Sequence, residues 1–190
     1  MVDATPVERH PFAPFMPPRA RFLLIGTFPG WQFTQPTAVL GPDDWYYGTH
    51  TRSLWHLLEQ VYHRPLPTAA VKQALLTDLR LGVTDVVASA RRKKVGARDA
   101  DLYDVQFQAA ALAKLLLEHP LEQLFFTSQL AQKWFNGLAS ELIGMHGVPA
   151  ARVALPQQVL PSPSPEYIRF KHDTVEGRLN AYRQLLPVLS

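Results

Sequence analysis

The segment Arg21-Phe22-Leu23-Leu24-Ile25-Gly26-Thr27-Phe28-Pro29-Gly30 constrains the fold more than any other stretch. An uninterrupted apolar run that breaks abruptly into a glycine–proline turn reads as a strand buried on both faces. Such strands belong to parallel sheets covered by helices, and parallel sheets bind ligands beyond the carboxyl ends of their strands. The turn Gly26–Gly30 is therefore expected at the mouth of a site. Its glycines allow close backbone approach, and Pro29 stiffens it.

The remaining elements are consistent with that sheet. Residues 1–20 read as an irregular, Pro-rich arm pinned by Phe12 and Phe15, with His10 structural rather than catalytic. Residues 31–50 read as a long aromatic loop. Thr51 is a plausible cap for a helix burying Leu54, Leu57, Leu58 and Val61. A second helix starts near Thr68 and buries Val71, Leu75 and Leu79. Val83–Ala88 then reads as the second strand, terminating at Ser89. A basic loop over 90–101 leads to a helix from about Asp104, with Val105, Leu112, Leu115 and Leu116 inward. Leu124–Thr127 is a short third strand, and Ser128 caps a helix burying Leu130, Trp134, Leu138 and Leu142. Val153–Leu155 and Val159–Leu160 form a weaker fourth strand, interrupted by Pro156 and suited to a sheet edge. Asp173-Thr174-Val175-Glu176 has capping-box spacing and opens the last helix.

Alternating strands and helices with right-handed crossovers predict one α/β domain, a three-layer α/β/α sandwich around a mostly parallel four-stranded sheet. Its 190 residues suffice for a real core, and 47% hydrophobic with 18% charged residues fits a globular chain. Each strand then delivers its following loop to one rim: Thr27–Gly30, Ser89–Arg98, Thr127–Ser128 and Ser162–Ser164.

Several chemistries are excluded or disfavoured. Without cysteine there is no disulfide, thiolate zinc site, cysteine-ligated cluster or cysteine nucleophile, a usage compatible with a cytosolic setting. No apolar run is long enough to span a membrane. Neither a phosphate-binding nor a dinucleotide glycine motif is present, nor the nucleophile elbow of α/β-hydrolases. The histidines form no His-x-x-x-His pair, so no metal site is expected. Net charge is only +3, but Arg91, Arg92, Lys93, Lys94 and Arg98 place five positive charges within eight residues. Such a cluster suits a phosphate backbone, or is simply a solvated basic loop.

The expected rim thus carries aromatics, hydroxyls, backbone amides and cations, which suits a planar ligand held by stacking. Enzymes acting on a DNA base extrude it into such a pocket. Trp45 reads as packing of the long loop, and either Tyr46 or Tyr47 as a pocket wall.

Gly26-Thr27-Phe28-Pro29-Gly30, Tyr46-Tyr47-Gly48 leading to Leu54-Trp55, Asp85-Val86-Val87-Ala88-Ser89, Phe125-Phe126 and Leu160-Pro161-Ser162-Pro163-Ser164-Pro165 occur in that order. Together they resemble the uracil-DNA glycosylase superfamily, most closely its hypoxanthine/mismatch-type branch, from about residue 10 to 170. The resemblance implies hydrolysis of the N-glycosidic bond of a deaminated or damaged base flipped from DNA. It implies no metal or redox cofactor, no membrane and no obligate protein partner. Carried over, Gly26, Thr27, Phe28, Pro29 and Gly30 become the base and water loop. Ser162, Pro163 and Ser164 become the DNA clamp, Tyr46 or Tyr47 stacks near the base at Gly48, and Ser89 contacts it.

Two departures stand out. Phe28 replaces the Asp or Asn that many members carry in the first motif, and Arg52 replaces an Asn of the close branch. Candidates for the missing polar function are His50, Asp85 and Asp99, each with an ordinary alternative as loop, capping or helix-entry residue. If the glycosidic bond breaks before water attacks, preorganised donors suffice, and one is worth about 3–4 kcal/mol in other enzymes. The alternative reading is a glycosylase-like module that binds nucleic acid or a free base without cutting.

Overall fold

A computed structural model describes residues 5–48, 54–163 and 174–189. In chain order the elements are β1 (Glu8–Arg9), β2 (Phe22–Gly26), α1 (Trp31–Thr34), α2 (Leu54–Tyr62), α3 (Ala69–Asp78), β3 (Leu81–Asp85) and β4 (Val87–Arg92). A single 3-10 turn (Asp99–Asp101) leads into β5 (Leu102–Phe107), followed by α4 (Ala109–Glu118), β6 (Gln123–Phe126), α5 (Gln129–Gly137) and α6 (Ala139–Gly144). The chain continues with α7 (Ala150–Val153), β7 (Gln157–Val159) and α8 (Val175–Leu185).

The main sheet has the order β3-β2-β6-β7, and every pairing in it is parallel. Its centre is the apolar run predicted to be doubly buried. Leu23 and Ile25 enter one core with Leu112 and Leu116 of α4 and Phe135 of α5. Leu24, between them, enters the other with Leu54 and Leu58 of α2, Leu75 of α3 and Leu179 of α8. Successive side chains of a strand point to opposite faces, so helices are required on both sides. The four-stranded parallel sheet between helices is the expected fold class.

A second, antiparallel sheet, β1-β4-β5, was not expected. The stretch 83–89 is not one strand. Val86 and Val87 donate their amides to the carbonyls of Gly26 (2.9 Å) and Thr27 (3.1 Å), which ends the parallel ladder and redirects the chain into β4. The expected helix from Asp104 is instead β5, paired with β4, and helix starts only at Ala109, where the alanine-rich run begins. The basic loop shrinks accordingly, because residues 90–92 lie in β4 and 99–101 in the 3-10 turn.

The N-terminal arm is also structured: β1 pairs with β4, and Phe15 bridges to Val83. The long loop begins with the short helix α1. Val153 closes α7 rather than belonging to a strand, and the edge strand is β7, after Pro156. The helix after Ser128 breaks at Leu138 into α5 and α6, with Ala131 and Phe135 rather than Leu130 and Trp134 fully buried. The cap of α8 is Thr174, whose hydroxyl accepts from the Gly177 amide at 3.0 Å; Asp173 lies outside the described residues. Thr68 and Ser128 cap α3 and α5 as expected.

Candidate functional site

Parallel pairing brings the carboxyl ends of β2, β3, β6 and β7 to one edge of the sheet. Gly26, Asp85, Thr127 and the segment Leu160–Pro163 therefore lie along that edge. Gly26 and Asp85 are register partners. Tyr182 of α8 donates its hydroxyl to the Pro161 carbonyl at 2.9 Å and fixes the start of the last loop.

Asp85 is buried, and its Oδ2 accepts from His10 Nε2 at 2.9 Å. His10 Nδ1 accepts from the Phe12 amide at 3.1 Å, which leaves the imidazole proton on Nε2, directed at Asp85. His10 is held by its own amide on the Ala88 carbonyl (2.9 Å) and by the rings of Tyr46, Phe12 and Phe28 at 5.3–6.0 Å. Nothing in the sequence signals this pairing across 75 positions. It depends on β1 docking the arm against β4.

Above Gly26 two oxygens meet. A Cβ built there would lie 2.2 Å from Asp85 Oδ1 and 2.5 Å from the Tyr47 hydroxyl. Glycine is needed for that approach. Tyr47 has φ of 62°, the left-handed region that a bulky residue rarely adopts, and Gly48 follows at 69°. The buried Lys72 donates to the Gly48 carbonyl at 3.4 Å and lies over the Trp55 ring, so a cation clamps this turn. Burial, more than the opposing carboxylates of Asp43, Asp44 and Glu59, lowers its pKa. Among the described residues the buried Tyr47 hydroxyl has no partner at hydrogen-bonding geometry. Burial, then the charge of Asp85, pushes the Tyr47 phenol well up, with Thr127 opposing. Tyr47 is therefore a neutral donor at ordinary pH.

Tyr46 is buried beside it, donates to the Phe12 carbonyl at 3.3 Å and accepts at its own carbonyl from Trp55 Nε1 at 2.6 Å. Burial, then Asp85, raises its pKa. Trp45 stacks on Trp55, the packing role expected of it.

The second carboxylate is Asp99. It is half-buried, and its Oδ2 accepts from the Thr27 hydroxyl at 2.8 Å. Burial pushes its carboxyl up to about 6; the Thr27 bond opposes that, Asp85 adds to it and Arg92 again opposes it. Two acids from different elements thus flank one turn, with different partners.

Pro29 and Phe28 are reached by Arg92, which donates from Nη2 to the Pro29 carbonyl at 3.0 Å and lies 5.9 Å from the Phe28 ring centroid. Arg92 is buried and its Nε is 3.2 Å from both Glu8 carboxylate oxygens, while Glu8 also accepts from Thr34. The arm, the turn, α1 and β4 are tied by this one cluster. Arg92 thus faces inward, unlike its basic neighbours. Arg91 pairs with Asp104 at 3.1 Å and donates to the Thr5 carbonyl. Lys93, Lys94 and Arg98 are exposed. The Gly96 carbonyl accepts from the Trp31 amide at 3.1 Å, attaching the basic loop to the start of α1. Gly30 precedes that helix.

Ser89 lies within β4, opposite Arg9 and Gln106, so the end of the second parallel strand belongs to Asp85 instead. Ser162 and Pro163 lie on the site edge. His50, Arg52 and Ser164 lie outside the described residues. Among the described helices none is long and apolar enough to cross a membrane.

No protein-family profile and no curated protein matches the chain. Among solved structures, a Methanosarcina acetivorans protein provisionally named a uracil DNA glycosylase, determined by solution NMR, matches with a TM-score of 0.65 at 20% identity. The match covers 95% of this chain and 99% of that one. The chain therefore has a uracil-DNA glycosylase-like fold.

Proposed function

We propose that this chain is a monofunctional DNA glycosylase that hydrolyses the N-glycosidic bond of a deaminated base turned out of DNA. The observation that carries the reading is the pair of acids at the Gly26–Gly30 turn: Asp85 fixed by His10, and Asp99 held by Thr27 at 2.8 Å. They stand at the ligand-binding edge of a glycosylase-like sheet. Their unlike environments assign unlike roles. Asp99, with its carboxyl near 6, is the group suited to take a proton at neutral pH. Asp85, fixed in place, faces the base.

In this mechanism the bond between C1′ and the base nitrogen breaks and its electron pair leaves with the base. A water molecule oriented by Asp99 bonds to C1′ and gives its proton to the carboxylate, which passes it on to the departing base. Products are the free base and an abasic site. Asp99 supplies the polar function that Phe28, packed into the core, cannot. Lys93, Lys94 and Arg98 meet the phosphates, and Ser162 and Pro163 grip the DNA backbone and support the turned-out nucleotide.

The test is incubation of labelled uracil- and hypoxanthine-containing oligonucleotides with the chain and with Asp99→Asn. Strand scission at the lesion after alkali, lost in the variant, supports the reading. Intact substrate at high enzyme excess opposes it. The burial of Phe28, which leaves the turn without a carboxylate or amide side chain of its own, favours a second reading as a binding module. That module binds DNA with steep salt dependence and releases no base.

A further inference from the structure

Stability alone does not account for the cluster around Arg92. Burying a cation with a carboxylate gains a fold little over an apolar pair of the same volume, because both charges leave water. Arg92 and Glu8 are nevertheless both buried, with Arg92 Nε 3.2 Å from each Glu8 carboxylate oxygen. Their place in the molecule supplies the reason.

Every residue from Thr27 to Gly30 is held by one of two acids or by a group bonded to one. Thr27 is bonded to Asp99 at 2.8 Å. Arg92 lies 5.9 Å from the Phe28 ring centroid and donates from Nη2 to the Pro29 carbonyl at 3.0 Å. Thr34, bonded to Glu8, lies 3.4 Å from the Gly30 carbonyl. Arg92 and Asp99 are also the two feet of one hairpin loop, which the Lys93 amide closes on the Asp101 carbonyl at 2.9 Å. A buried cation and an acid thus flank the same short turn.

Asp99 meets several charges there. Burial raises its carboxyl, the Thr27 bond opposes, Asp85 (itself bonded to His10) adds, and Arg92 opposes again. On the same loop Arg98 is exposed and Asp101 is not buried, so water screens both. The cation screened least is Arg92, and its charge is offset by Glu8.

Resting on the glycosylase reading, we infer that Arg92 and Glu8 are positioning residues of the reaction. Arg92 holds the turn by the Pro29 carbonyl and supplies the positive charge that Asp99 meets. Glu8, carried on the N-terminal arm, moderates that charge. The arm thereby acts on the group that orients water, beyond its strand pairing with β4.

The test reads the Asp99 carboxyl directly, by carboxyl-carbon NMR titration of the full chain, beside the pH profile of base release. Glu8→Gln keeps an oxygen for Thr34 and Arg92 but leaves the guanidinium charge unmatched, so the Asp99 midpoint should fall by about one pH unit. Glu8→Gln combined with Arg92→Met removes both buried charges, which folds tolerate, and the midpoint should rise instead. Arg92→Lys keeps the charge and loses the forked contact, so the midpoint should hold while release slows by roughly tenfold. A loosened turn would not move the first two variants in opposite directions. Midpoints that stay put, or that move the same way in both, overturn the inference, as does a carboxyl that moves while the release profile does not follow. A carboxyl that moves as stated in a chain releasing no base sinks the glycosylase reading and leaves the hold of Arg92 and Glu8 on Asp99 standing.

Discussion

Thr27 donates its hydroxyl to Asp99 at 2.8 Å, joining the turn after the first strand of the main sheet to a short 3-10 turn seventy-two positions later. One small side chain thereby fixes the orientation of a carboxylate whose burial holds it near 6. Removing that hydroxyl leaves the acid in place but unaimed. Thr27→Val should lower base release by roughly tenfold, the effect of one lost hydrogen bond to a charged group, with little change in DNA affinity. Single-turnover rates alongside binding isotherms separate the two.

The pH profile follows from the same carboxyl. A proton-accepting Asp99 must be ionised, so release should rise with pH through about 6 and level off above. A single-turnover series from pH 4.5 to 8.5 reads this directly. A rate that falls across the interval would assign Asp99 as an acid instead.

Stability should run the opposite way. The folded chain holds the Asp99 carboxyl at about 6 against 3.8 for an ordinary aspartate, so between those values the native state binds the proton more tightly than the unfolded chain. This contribution is present below about pH 4 and is lost as pH rises through 6. Asp99→Asn keeps an acceptor for Thr27 and removes the ionisation, so it should stabilise the fold at pH 7.5 by about 2 kcal/mol, and hardly at pH 4. Denaturant unfolding at the two pH values checks it. A proton-accepting carboxylate kept at a cost in stability is the expected trade.

How much of this was legible beforehand depends on which interactions are local. The buried run 22–26, the caps Thr68 and Ser128 and the helix faces of α2 and α4 were readable because each is set by near neighbours in sequence. The second sheet was not. β4 and β5 look like the tail of a strand and the start of a helix until pairing across a bulged register makes them one hairpin. The site shows the same division. Gly26–Gly30, Asp85, Asp99 and Tyr47 were all singled out, since residue type and strand ends point to them. The His10–Asp85 bond and the inward turn of Arg92 toward Glu8 were not, because each needs the arm docked against β4, a contact with no sequence signature.

Arg92 and its neighbours should consequently behave as two classes. Arg92→Ala strips the charged partner from buried Glu8 and should destabilise the fold by about 3–5 kcal/mol. Lys93→Ala with Lys94→Ala should leave stability within about 0.5 kcal/mol. That double variant should weaken DNA binding and lower its salt slope by about 1–2. Thermal melts and salt titrations on the same samples distinguish them. Unchanged DNA affinity in the lysine double variant would make the cluster a solvated loop.

At Gly26 the test is steric. A methyl group there would press on Asp85 Oδ1 and the Tyr47 hydroxyl, 2.2 and 2.5 Å from its carbon. Asp85 is held by His10 and cannot easily yield. Gly26→Ala should cost about 1–3 kcal/mol, as overpacking does, and abolish base binding.

The decisive measurement is release of a base from a duplex and a single strand, each carrying one uracil or one hypoxanthine, by excess wild-type chain and by Asp99→Asn. The wild type should leave an abasic site at the lesion and none in undamaged DNA, and the variant should act at least roughly a hundredfold more slowly. Substrate left intact by the wild type, or a variant that cuts as fast, would contradict the glycosylase assignment.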